Sequence, residues 1–463
     1  MCKIVRLARQ TKSSWSEQNC RRDIVAALVT SSKGLHSMKP QIAILLASFA
    51  VFAAASQEPT NTAAEWSAQA IKAYRARDYD AFLADEKHAL NLEPTNPRFL
   101  YNVACGEALR GNAREAVQLL DQLLARKLDL GALTDEDFSR IHTTPEWREF
   151  ESRLQILRKP QVRSEVAFRL SDPMLLATGI AVDPRTGNSY IASVRERKIL
   201  LRTRDGSISD FIKEAQDGFM AGASLIIDAH RQLLYATTAA VPYMVGYRKE
   251  DFGKSGIFGF DLRTGKLVCK VLLPADGKKH FLNALVVDRL GNVYISDTGL
   301  SGIYRLQRGA NELEVFVPSD VFRATQGLAL SENEKTLYVA DYLDGLWAMD
   351  MASKARRRIG TPADVWLGGL DGLSRVRGGF VAIQIGVKPE RVLRIRLDSQ
   401  GERVTGVEIL EMNHPDYAGP IQGVVAGRAF FYVANCQLDL GNEAGELAAD
   451  RARPTVVLRL PLR

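Results

Sequence analysis

Motifs that carry chemistry are scarce in this 463-residue chain. It holds five cysteines and six histidines, and no CxxC or Cys/His spacing of a metal site occurs among them. No HExxH, GxSxG or GxGxxG stands in the strand and helix setting its mechanism needs, which removes zinc proteases, α/β-hydrolases and dinucleotide enzymes. FGKSG (252–256) has Arg248 where the first glycine of a phosphate loop belongs, so that motif is rejected. A disulfide framework is unlike a chain with so much core-forming sequence. Cys105, Cys269 and Cys436 read as buried thiols, and Cys2 and Cys20 fall in the leader.

An excess of one charge is also missing once the first 56 residues are set aside. The chain carries +7 overall, with 61 basic and 54 acidic residues. Residues 1–56 hold eight of the basic side chains against Glu17 and Asp23 alone, so the remainder is close to neutral. A neutral body offers nucleic acid no electrostatic footing, and none is expected as a partner.

Long apolar runs are lacking too. The longest, within MKPQIAILLASFAVFAAASQ, spans about 14 residues from Ile42 to Ala55, well short of the ~20 a membrane helix needs. Lys39 ahead of it and Ala53-Ala54-Ala55 behind it give the layout of a secretory signal. The reading is translation from Met38, a signal over 38–56, and a non-native leader over 1–37. The mature protein is then exported to a periplasm or secreted, with no membrane span.

From 57 to 160 the chain is rich in Ala, Leu, Glu and Arg with helical spacing of apolar residues. Ala70 and Ala104, Tyr74 and Ala108, and Phe82 and Ala116 are each 34 residues apart. That period resembles the tetratricopeptide repeat, whose stacked helix pairs form a concave face for a protein partner. LTDEDFSRIHTTPEWREFESRLQIL (133–157) reads as capping helices beyond the two units.

From 161 to 463 the texture changes to alternating Val, Ile and Tyr punctuated by Gly, Asp and Asn. Six blocks recur, among them TGIAVDPRTGNSYIAS, ASLIIDAHRQLLYATT, NALVVDRLGNVYISDT and QGLALSENEKTLYVAD. Their heads stand at 178, 223, 283, 326, 371 and 422. Four short strands every 40–60 residues predict an all-β six-bladed propeller. RSEVAFRL (163–170) is placed to supply the outer strand of the last blade and close the ring. In such a ring the heads Thr178, Ala223, Asn283, Gln326, Asp371 and Gln422 begin inner strands. Polar side chains there need partners, whether each other, water or an ion.

These motifs, with LNALVVDRLGNVYISDT, TQGLALSENEKTLYVADY and LDGLSRVRGGFVAI, resemble the regucalcin/gluconolactonase (senescence marker protein) family. That resemblance implies a divalent metal, Ca²⁺ or Mg²⁺, in the central channel and hydrolysis of a lactone. The family's metal positions fall on Thr178, Asn283, Gln326 and Asp371, where the family has Glu, Asn, Asn and Asp. Asp371 would also serve catalysis, and His280, on the loop entering the third blade, is the candidate general base. His414 approaches the sixth head in the same way. Tyr243, Met244 and Tyr247 lie on an inserted loop placed to cover a ligand. Asp297 and Asp341, ending second strands, read as turn ties. The leading expectation is therefore a metal-dependent lactone hydrolase with a degenerate site, acting on a sugar-type or other small lactone. The alternative is a non-catalytic ligand- or protein-binding propeller whose helical domain recruits a partner.

Overall fold

A computed structural model describes residues 61–462. The expected leader and signal lie outside the described residues. The chain divides into two compact units. One runs to Leu119 and includes Leu133–Trp147; the other comprises Leu120–Ala132 and Arg148–Arg463.

Five α-helices occur among the described residues: α1 (Ala63–Arg75), α2 (Tyr79–Leu92), α3 (Pro97–Leu109), α4 (Ala113–Ala125) and α5 (Pro145–Leu157). Their starts are written in the sequence. Thr62 caps α1 through a reciprocal pair with Glu65, Asp78 accepts from Ala81 N–H at α2, and Asn96 precedes Pro97 at α3. The 34-residue echo is structural: α3 begins and ends 34 residues after α1, and α4 begins 34 after α2. Ala70, Ala104 and Ala108 are buried where helices meet. A Cβ on Gly106 would lie 2.9 Å from Leu83 Cδ1, so α2 and α3 approach closely at a residue without a side chain.

The second unit carries six four-stranded antiparallel sheets. The inner strands are Ala177–Val182, Ala221–Asp228, Leu282–Val287, Thr325–Leu330, Leu370–Val376 and Ile421–Ala426. Each contacts the next, and the last contacts the first, so they ring one axis. The sixth blade is composite: Glu165–Leu170 pairs with Thr455–Pro461 as its outer strand, as the sequence predicts. This pairing ties the two ends of the ring together, and each blade keeps only short edges. Apolar residues fill the spaces between neighbouring blades, as where Tyr338 and Leu346 pack on Phe380 and Leu393.

All six inner strands break their ladder at the same place. The register slips between Ala177 and Ile180, Gly222 and Leu225, Leu282 and Leu285, Thr325 and Leu328, Leu370 and Leu373, and Ile421 and Gly423. Every head residue falls inside one of these bulges, which free a residue from pairing and re-aim its side chain. The glycine that follows four of the heads has a separate cause. A Cβ on Gly327 would stand 2.8 Å from Asp371 O and from Leu373 N, backbone of the next inner strand.

Candidate functional site

Head residues from opposite sides of the ring meet on the axis. Gln422 Nε2 donates to Asn283 Oδ1 at 2.7 Å. The single hydroxyl proton of Ser224 is shared between Asn283 Oδ1, 3.2 Å from its oxygen, and Gln422 Oε1. Asp371 joins through Gln422 N–H, which donates to its Oδ2 at 3.2 Å. Blades 2, 3, 5 and 6 are thus linked by one polar network, with Asn283, Ser224 and Asp371 buried.

The remaining predicted ligands stand apart from it. Thr178 is buried, but its hydroxyl donates to Gly222 O of the next blade at 2.8 Å. Gln326 is half-buried and, among the described residues, its side chain takes no part in the network. His280 is held from both sides: Nδ1 lies 2.6 Å from Asp297 Oδ2 and Nε2 3.2 Å from Asp276 Oδ1. The Asp297 hydrogen bond, above all, raises the imidazole's pKa. A ring with both nitrogens on carboxylates is a strut, poorly placed to act as a base. His414 Nδ1 accepts Asp416 N–H in a local turn. Asp297 Oδ1 accepts Phe281, Gly299 and Leu300 N–H groups, and Asp341 binds four backbone N–H groups of its own blade, so both aspartates tie turns.

The site's one carboxylate is unusual. Asp371 is buried, and desolvation pushes its pKa up to about 6, with Gln422 N–H opposing. Nearby Cys436 is pushed up to about 12, chiefly by burial, with the Asp371 charge contributing.

Residues of the network also close one end of an axial cavity of about 370 Å³. Ser224 and Gln422 line it with Ile180, Leu225, Leu328 and Val424. Arg289, Glu332 and Glu334 contribute from the turns that follow the inner strands, and Arg375 from the end of one. They are paired as Arg289–Glu334 (3.7 Å) and Arg375–Glu332 (3.8 Å). On the face where the inner strands begin, loops of blades 6, 1, 2 and 3 bury an apolar cluster including Leu176, Met220, Val241, Met244 and Leu440. Tyr243 belongs to it, pressed against Gly441. The inserted loop is therefore packed into that face rather than standing free.

A resident dication fits these residues poorly. Asp371 is the sole anion in the network, and Asn283 Oδ1 already accepts from Gln422 and Ser224. Ca²⁺ takes six to eight oxygens, and tight sites supply several carboxylates. Thr178 and Gln326 would have to leave their present settings to help. Sequence reasoning missed Ser224. The available signal was the pair Ala223-Ser224, in a place where four other blades have glycine as the second residue.

No protein-family model and no curated protein matches the chain. Among solved structures, it resembles a gluconolactonase from Xanthomonas campestris at 18% identity and a TM-score of 0.43, covering 66% of this chain and 94% of that one. It also resembles a calcium-binding protein, regucalcin, from Agrobacterium tumefaciens at 16% identity and a TM-score of 0.44, over 64% and 96%. A luciferin-regenerating enzyme gives 12% identity and a TM-score of 0.46, over 66% and 96%. The six-bladed assignment rests on the strand pairing of this chain itself.

Proposed function

We propose that the propeller binds a small, neutral, polar molecule of sugar or lactone type in its axial cavity without a resident dication. The carrying observation is the Ser224–Asn283–Gln422 network at the end of that cavity. Amide and hydroxyl groups both donate and accept, so they suit hydroxyl and carbonyl groups better than ions. The apolar walls add burial, and about 370 Å³ falls in the range of small-ligand sites. Titrating the exported form with sugars and aldonolactones by calorimetry tests this. Binding that Gln422→Ala abolishes supports it, and no binding across the panel overturns it.

A second reading, lactone hydrolysis, is favoured by Asp371 specifically. A carboxyl titrating near 6 is in the working range of a general base. Turnover of a lactone panel that falls with Asp371→Asn, together with metal analysis of the protein as purified, separates the two. Stoichiometric Ca²⁺ or Mg²⁺ with turnover favours the metal-dependent hydrolase.

Export and partner binding complete the proposal. The signal at 38–56 directs export, tested by N-terminal sequencing of secreted material. The 34-residue recurrence of helices supports a tetratricopeptide-like role in holding a protein partner.

A further inference from the structure

Far from the axial network in sequence, the helical unit buries a thiol and two carboxylates together. Ligand atoms of Cys105, Asp135 and Asp137 lie within 4.8 Å of one another. Cys105 sits on α3, and the aspartates start the tight turn Glu136–Ile141. Exposure of the three is 0%, 3% and 4%. Each carboxylate is oriented by a phenol: Tyr74 donates to Asp137 Oδ1 at 2.6 Å, and Tyr101 to Asp135 Oδ2 at 2.9 Å. Asp135 Oδ1 accepts Asp137 N–H at 3.3 Å.

One atom is left over. Among the described residues, buried Asp137 Oδ2 has no hydrogen-bond partner, an arrangement that costs free energy unless something accepts its lone pair. Among the described residues no lysine or arginine forms an ion pair with either carboxylate. Two buried carboxylates beside a thiol are well stabilised by a proton or a metal between them.

We propose that Cys105, Asp135 and Asp137 form a structural Zn²⁺ site in the helical unit. A thiolate excludes Ca²⁺ and Mg²⁺, which take oxygen, and a mixed sulfur and oxygen set suits Zn²⁺. Zn–ligand bonds of roughly 2.0–2.3 Å require the three side chains to contract slightly around the ion. The two phenols are the outer partners that fix ligand orientation. On binding, the Cys105 proton passes to solvent and the ion takes the lone pairs of sulfur and carboxylate oxygen. The ion would pin the turn at 135–141 to α3, and through Tyr74 to α1. This assignment is independent of the axial site.

The test is Co²⁺ titration of the chelator-stripped full chain. One equivalent should bind and give thiolate-to-cobalt charge transfer in the near ultraviolet, with the visible bands of four-coordinate cobalt. Zn²⁺ should displace it and raise Tm. Cys105→Ala and Asp137→Asn should abolish the bands, and Tyr101→Phe should weaken binding about tenfold. A double Cys269→Ala, Cys436→Ala chain should retain them. Folded wild-type protein without the bands overturns the site, whether or not any variant folds. Bands that survive Cys105→Ala overturn it equally, and Cys105→Ala removes only a buried thiol if Asp137→Asn fails to fold.

Discussion

Gln422 and Asn283, 139 residues apart in sequence, join side chains at 2.7 Å on the propeller axis. Each begins an inner strand, and each sits in a bulge that turns its side chain away from the ladder. The pairing lets an interior strand carry an amide without an unsatisfied dipole.

Asp371 should make stability fall as pH rises. Its folded pKa near 6 exceeds the unfolded value of about 3.9. Its contribution is therefore complete below the unfolded value and is lost as pH climbs through about 6. Asp371→Asn should flatten that segment of the profile and stabilise the protein at pH 7.5 by up to about 3 kcal/mol. Urea melts from pH 4 to 8 measure it, and a variant as pH-sensitive as wild type would count against the buried carboxylate.

His280 gives the same sign as a cation held by two carboxylates. Its raised folded pKa means that the gain from Asp297 and Asp276 is fully present below the unfolded value and disappears as pH rises through the folded one. His280→Ala should therefore lower Tm more at pH 6 than at pH 9. An equal loss at both would show that the ring contributes packing alone.

Gly327→Ala should destabilise the ring by about 1–3 kcal/mol. The new methyl would meet Asp371 O and Leu373 N at 2.8 Å, and neither is the end of a flexible side chain. Gly406→Ala, with open space around it and no left-handed backbone, should change stability by about 0.5 kcal/mol or less. Chemical denaturation of the pair ranks them, and equal costs would argue against close approach of the inner strands.

Glu411→Gln should weaken the clasp on the outer strand of blade 6. Its carboxylate accepts Arg163 N–H (2.8 Å), Ser164 N–H (2.7 Å) and Ser164 Oγ (2.9 Å), and the hydroxyls of Tyr417 and Tyr432. Loss of charge-assisted bonds here should cost about 2 kcal/mol or more. Faster proteolysis near residue 163 is the expected readout, and unchanged cleavage would place the closing strength elsewhere.

The blade pattern was legible because a propeller repeats one local problem six times. Alternating strands, Asp-led turns and small residues just after the heads recur wherever inner strands crowd the axis. Even the donated outer strand followed, since closing the ring demands it. The site was harder to read. Periodicity locates Thr178, Asn283, Gln326 and Asp371 at equivalent places but is silent on where each side chain turns inside its bulge. Ser224 entered the network although it is the second residue of its block, and Thr178 left it for a neighbouring carbonyl. Position alone, three residues before Asn283 on the loop entering the third blade, makes His280 a candidate base, whereas its ring is held between two aspartates. The Cys105 cluster joins residues 30 and 32 positions apart, a spacing with no motif behind it.

The composite sixth blade has a consequence for biosynthesis. Glu165–Leu170 is synthesised nearly three hundred residues before its partner Thr455–Pro461. Until that partner emerges, the nascent chain carries an unpaired strand that must be shielded from neighbours. A chain interrupted before residue 455 should therefore be an open, association-prone product.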